Sequence, residues 1–238
     1  MTQPYYQDEW ITIYLGDCRE ILPQLPDNSV DLMPTDPPYG ILPNGKPSNG
    51  FTWDNIDLIP FTSHWFNLVS SKLNDNALLF IFWSQKYFNK GVEIFNPNRI
   101  ILWHYKNLIL AGGGDFAYDY EPILVVKKGN PKLVPGKHSC ILQYTKPQSN
   151  FNNNKLLHPT QKPIALIEHL ISITNCNSIL DPFLGSGTTA YCAKKLNRKC
   201  IGIEISEEYC HIAATRCSQM VLDLSNTQSD ISLDSGLA

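Results

Sequence analysis

The stretch Asp181-Pro182-Phe183-Leu184-Gly185-Ser186-Gly187-Thr188-Thr189 follows the apolar run Ser178-Ile179-Leu180 and precedes Ala190-Tyr191-Cys192-Ala193-Lys194-Lys195-Leu196. An apolar run, a loop with two glycines one residue apart and then a helical pattern predict a strand-turn-helix in which a nucleotide lies against a helix N-terminus. About twenty residues beyond the glycines, Cys200-Ile201-Gly202-Ile203 ends at Glu204, where Rossmann-type folds place the acid that holds a ribose diol. The loop carries neither the GxxxxGK[ST] pattern nor the full GxGxxG, so no P-loop lysine is there to neutralise a triphosphate. A nucleoside with little phosphate charge fits better. S-adenosylmethionine has an adenosine, a sulfonium and an amino acid end that glycine amides can approach. The alternative is that Gly185 and Gly187 merely make a tight turn, glycine being the default residue at left-handed positions. The spaced acid weighs against that alternative.

A second motif weighs more. Thr35-Asp36-Pro37-Pro38-Tyr39-Gly40 closes the apolar stretch Val30-Asp31-Leu32-Met33. Consecutive prolines cannot continue a sheet ladder and fix their own φ, so the segment after the strand is a stiff, extended platform. A carboxylate, proline carbonyls and an aromatic face held on such a platform suit a planar base with an exocyclic amine. Acceptors take the two amino protons while the ring stacks under the base.

These two motifs, with His158-Pro159-Thr160-Gln161-Lys162-Pro163 between them, resemble the amino-group DNA methyltransferases that make N6-methyladenine or N4-methylcytosine. The order of motifs, catalytic segment first and glycine loop last, resembles the circularly permuted arrangement called the beta class. The resemblance covers about residues 10 to 220. It implies a Rossmann-like α/β sandwich with a mainly parallel seven-stranded sheet and one antiparallel strand, S-adenosylmethionine as cofactor and double-stranded DNA as partner. Asp36, Pro37, Pro38 and Tyr39 become the catalytic residues. Phe183, Gly185, Ser186, Gly187 and Thr188 become the loop around the methionine of the cofactor, with Asp181 near its ammonium group. Glu204 takes the ribose hydroxyls and Asp17 the adenine amine, while Thr160 and Lys162 take the methionine end and His158 is structural. Adenine N6 is favoured over cytosine N4 because DPPY is the more usual form in adenine enzymes. A catalytically silent DNA-binding protein and an RNA or protein methyltransferase are the alternatives, disfavoured by the intact motifs and by their order. Whether a cognate restriction endonuclease accompanies the chain is open, and homodimers are common in the family.

Length and composition agree with one catalytic domain. The chain has 238 residues, 43% hydrophobic and 17% charged, and holds no apolar run approaching the roughly 18 residues of a membrane span. The first residues lack the pattern of a signal peptide, so a cytoplasmic protein is expected, associated with the nucleoid through DNA. Seven cysteines without a CxxC pair read as reduced core side chains, with no metal site. The net charge of -3 hides a local excess: Pro122 through Ile167 contains no Asp or Glu but seven lysines. Lys127, Lys128, Lys132 and Lys137 are therefore the candidate DNA footprint.

Seven runs read as strands: Trp10–Leu15, Val30–Met33, Ala77–Trp83, Arg99–Lys106, Glu121–Lys127, Ser178–Leu180 and Cys200–Ile203. Asp17, after the first of them, is equally readable as a helix N-cap, and the two roles are compatible. The catalytic domain is expected over 1–224. Within it lie a mobile loop over 41–55, rich in Gly, Pro and Asn, and a target-recognition region over 129–157 that shows no clear period. A disordered tail is expected over 225–238.

Overall fold

The computed structural model describes residues 2–39, 57–107, 119–147 and 161–226, with side chains through Gln219. The expected loop over 41–55, His158, Thr160 and the tail from 227 lie outside the described residues.

The strands are β1 (Tyr6–Gln7), β2 (Ile11–Leu15), β3 (Val30–Thr35), β4 (Leu73–Phe82), β5 (Arg99–Tyr105), β6 (Tyr120–Lys127), β7 (Ile141–Tyr144), β8 (Ser178–Asp181) and β9 (Lys199–Glu204). The helices are α1 (Cys18–Ile21), α2 (Leu58–Ser70), α3 (Phe88–Phe95), α4 (Ile164–Ser172), α5 (Thr188–Lys195) and α6 (Glu207–Asn226). Among the described residues one sheet holds nine strands in the order β1-β2-β9-β8-β3-β4-β6-β5-β7. From β2 to β4 the neighbours are parallel, and β6 runs against both β4 and β5. All seven expected strands are present.

Two further strands correct the count, both at the sheet's edges. β1 is two residues long and pairs antiparallel with β2. β7 lies inside the expected target-recognition region, whose sequence shows no clear period. Of its four residues only Leu142 is buried, so it shows no apolar run, and its order comes from backbone pairing with β5. Similarly, α6 reaches Asn226, two residues into the expected tail.

Alternation along the central strands explains the sandwich. Leu78, Phe80 and Phe82 of β4 join one buried cluster with Leu166 and Ile167 of α4 and Ala190 of α5. The intervening Ala77, Leu79 and Ile81 join another with Trp65 of α2 and Phe95 of α3. A strand apolar on both faces is one covered by helices on both sides. Trp65, Trp83 and Trp103 are fully buried, and burying a large apolar side chain contributes about 2 kcal/mol or more.

The connections place the site. From β8 the chain passes through α5 to β9 on one side, while from β3 it passes through α2 to β4 on the other. The β3–β8 boundary is thus the point where crossovers diverge, and ligands of open α/β sheets bind outside the carboxyl ends of strands at such a point. Leu32–Ile179 is the recorded backbone pair between these strands, and Pro34, two residues on, has no N–H with which to continue the ladder. No helix among the described residues is long and apolar enough to cross a membrane.

Candidate active site

The carboxyl ends of β3 and β8 are joined by side chains where their ladder stops. The Thr35 hydroxyl donates to Asp181 Oδ1 at 2.8 Å, bridging segments 146 residues apart. Asp36 is the next residue, so the proline platform and the glycine loop stand side by side. Asp181, 3% exposed, also accepts the Phe183 N–H at 3.1 Å and a bond from the Thr189 hydroxyl. Burial pushes its carboxyl up to about 6, against the pull of these donors and with a small further rise from Asp36.

The loop after β8 folds as its sequence requires. Gly185 and Gly187 have φ of +54° and +82°, in the left-handed region that glycine occupies without steric cost. Gly187 is the N-cap of α5, and a Cβ there would stand 2.6 Å from the Cβ of Ala213 on α6. The same helix carries Arg216, whose guanidinium donates to the Ser186 carbonyl at 2.6 Å and lies over the Tyr191 ring. Phe183 packs edge-on to Trp65 with ring centres 5.3 Å apart. Ser186 and Thr188 are buried within this turn.

Three acids end three adjacent strands. Asp17 follows β2, Glu204 ends β9 and Asp181 ends β8. Glu204 accepts the N–H groups of Gly185 and Ser206, each at 2.8 Å, and burial raises its carboxyl above the ordinary value despite those donors. Asp17 is indeed the N-cap of α1, accepting the Arg19 N–H at 2.8 Å. The Arg19 guanidinium, 2.5 Å away, holds the Asp17 carboxyl below its usual range.

On the platform, Pro37 is buried and Tyr39 half-buried, its ring edge-on to Trp83 at 5.7 Å. The Tyr39 hydroxyl donates to Asp36 Oδ1, and the Lys162 ammonium stands 2.6 Å from Asp36 Oδ2. Lys162 also lies 2.9 Å from Glu121 Oε1, and the Tyr105 hydroxyl donates to Glu121 Oε2 at 3.2 Å. Lys162 is expected at the methionine end of the cofactor; its ion pairs are with these two carboxylates.

The comparisons with known proteins agree with this geometry. A family model described as DNA methylase matches residues 30–215. The chain is 32% identical over 225 residues to the type II methyltransferase M.HpaI of Haemophilus parainfluenzae, covering 82% of this chain and 70% of that one. The chain belongs to the DNA methylase family. It is also 30% identical to the type II methyltransferase M2.LlaDCHI of Lactococcus lactis subsp. cremoris, over 92% of this methylase and 93% of the relative. Among solved structures, that of the M1.HpyAVI-SAM complex superposes with a TM-score of 0.66 at 28% identity, covering 87% of this methylase and 99% of that chain. The cytosine-N4-specific PvuII DNA methyltransferase shares the fold with a TM-score of 0.71, at 19% identity over 94% of each chain. This methylase is an S-adenosylmethionine-dependent DNA methyltransferase of the amino-group kind.

The donor set fits that cofactor. Three carboxylates and an unfilled helix N-cap line the β2–β9–β8 edge, while Arg19 is bound to Asp17 and Arg216 to the loop backbone. Such an edge favours a ligand with cationic groups, hydroxyl donors and an amine over one with phosphates.

The methylase's four candidate DNA lysines do not gather here. Lys127 ends β6, about 20 Å along the strand from Glu121, and Lys128 donates to the Leu73 carbonyl at the amino end of β4. Lys132 and Lys137 flank a segment tied to Ile173 and Thr174, in the turn before the amino end of β8. Lys146 instead lies at the catalytic edge, 4.9 Å over the Tyr105 ring. Reading the sequence alone missed Glu121 and Tyr105. The available signal was an acid at the head of an apolar run, the last before the acid-free stretch.

Proposed function

We propose that this methylase transfers a methyl group to the exocyclic N6 of an adenine flipped out of double-stranded DNA. The observation that carries the reading is the Thr35–Asp181 bond, which sets Asp36 beside the glycine loop. Adenine is supported by the Asp at the head of the Asp36–Tyr39 tetrad, the form more usual in adenine enzymes.

S-adenosylmethionine supplies an electrophilic methyl group on a sulfonium. Asp181 would accept its ammonium end, Glu204 the ribose hydroxyls and Asp17 the adenine amine, while Phe183, Gly185, Ser186, Gly187 and Thr188 would hold the methionine. The target amine is a weak nucleophile because its lone pair is delocalised into the ring. Asp36 accepts one amine proton and the Pro37 carbonyl the other, which favours a pyramidal nitrogen with its lone pair aimed at the methyl group. Each Asp36 oxygen has two lone-pair sites, so the bonds to Tyr39 and Lys162 leave one on each. Tyr39 stacks on the base, its orientation fixed by Trp83 and by its own hydroxyl. Because the amine is inaccessible inside the duplex, the nucleotide is flipped at a cost of a few kcal/mol. The surplus proton leaves to water.

Mass spectrometry of nucleosides from DNA incubated with the methylase and S-adenosylmethionine tests the target. N6-methyladenine is expected; N4-methylcytosine in its place contradicts the adenine assignment.

A further inference from the structure

Between β5, β6 and the segments that follow β3 and precede α4 lies a charged cluster whose outer half the transfer step leaves unexplained. Lys162, its side chain 9% exposed, divides its ammonium between Asp36 at 2.6 Å and Glu121 at 2.9 Å, and stands 5.0 Å over the Phe82 ring. Tyr105 of β5 donates to Glu121, and the Tyr39 hydroxyl, bonded to Asp36, is 3.4 Å from Glu121 Oε1. Lys146, beyond β7, also acts on Glu121, and Asp181 faces Asp36 from β8. Two carboxylates share one close ammonium.

Burying charges is costly unless they are paired. A single Lys162–Asp36 pair would be a closed ion pair, its carboxylate committed to the ammonium. Glu121 competes for the same ammonium and leaves one negative charge in excess at the place where the target amine's protons become more acidic. Burial raises Glu121 above the ordinary carboxylate value although Lys162 opposes it. Burial also works against charged Lys162, and Asp36 and Glu121 together hold it above the usual lysine value.

We propose that Glu121 and Lys162 are positioning residues for Asp36: the ammonium balances both carboxylates, and Glu121, by sharing it, leaves Asp36 available to the target amine. The inference rests on the role assigned to Asp36 above, and assigns Lys162 to the catalytic carboxylate instead of the cofactor.

The test is single-turnover methylation of DNA from pH 5.5 to 9 by wild type, Lys162→Met, Glu121→Gln and the double variant, with cofactor affinity measured by calorimetry. Without the ammonium the two carboxylates that share it repel each other with no cation between them. Lys162→Met therefore moves the acid limb of the rate profile up by about one unit or more. Adding Glu121→Gln removes the like charge and moves the limb back, so that on the acid side of both limbs the double variant is about tenfold faster than Lys162→Met. Glu121→Gln alone slows transfer without changing cofactor affinity, and Lys162→Arg keeps the wild-type limb. A Lys162→Met variant that loses cofactor affinity, with no recovery in the double variant, overturns the proposal, as does an unmoved limb. Asp36→Ala separates the failures. Retained transfer there overturns the role of Asp36 itself, whereas an inactive Asp36→Ala beside an unmoved Lys162→Met limb overturns only the pairing.

Discussion

Asp181→Asn should separate two things that the native carboxylate couples, the stability of the fold and the affinity for the cofactor. Asp181 is almost fully buried and its carboxyl is pushed up to about 6 from an ordinary 3.8. At about 1.4 kcal/mol per unit, holding it ionised at pH 7 costs the folded state about 3 kcal/mol. The sign follows from proton linkage. Below 3.8 the acid is protonated folded and unfolded, and its relative contribution is fully present. As pH rises through about 6 that contribution is lost, because the unfolded chain ionises more readily. Asparagine still offers one oxygen to Thr35 and the Phe183 N–H but does not titrate. Urea unfolding at pH steps from 4 to 7 should therefore show the wild type losing about 2 kcal/mol relative to Asp181→Asn. Calorimetry with S-adenosylhomocysteine, which has the same amino acid end, should show wild-type affinity falling up to tenfold per unit below about pH 6. The variant should bind weakly at every pH. Parallel stability curves, or wild-type affinity flat from pH 5 to 7, would refute the reasoning.

Three other perturbations address the glycine loop and the DNA surface. Gly187→Ala forces a side chain into a left-handed φ and 2.6 Å from Ala213, which together should cost about 3 kcal/mol in urea unfolding; a loss below about 1 kcal/mol would show that α6 gives way freely. Lys146→Gln should weaken DNA binding and lower the slope of log affinity against log salt by about one, while Lys127→Gln with Lys128→Gln should leave the slope unchanged. The opposite result would move the DNA surface to the amino end of the sheet.

What the sequence revealed and what it concealed share one physical origin. Apolar runs and their punctuation mark strands, so β2, β8 and β9 and the acids that follow or end them were legible before any coordinates. Periodicity does not reveal the direction of a strand within a sheet. β6 runs against its neighbours, which carries Glu121 to the catalytic edge and Lys127 with Lys128 to the opposite one. One reversal accounts for the missed carboxylate and for the displaced lysines. Lys162 is a different case: the family resemblance assigned it to the cofactor, and only the folded chain brings it, just ahead of α4, to Asp36 and Glu121. β7 was hidden because four residues with one buried side chain leave no pattern to read.

The grip proposed for Asp36 on an amine, presented to a methyl donor in the glycine loop next door, is open to direct measurement. Asp36→Ala, assayed separately for methyl transfer to DNA and for S-adenosylmethionine binding, addresses it most directly. Transfer should fall by about a hundredfold or more with cofactor affinity unchanged. Transfer at the wild-type rate would contradict it.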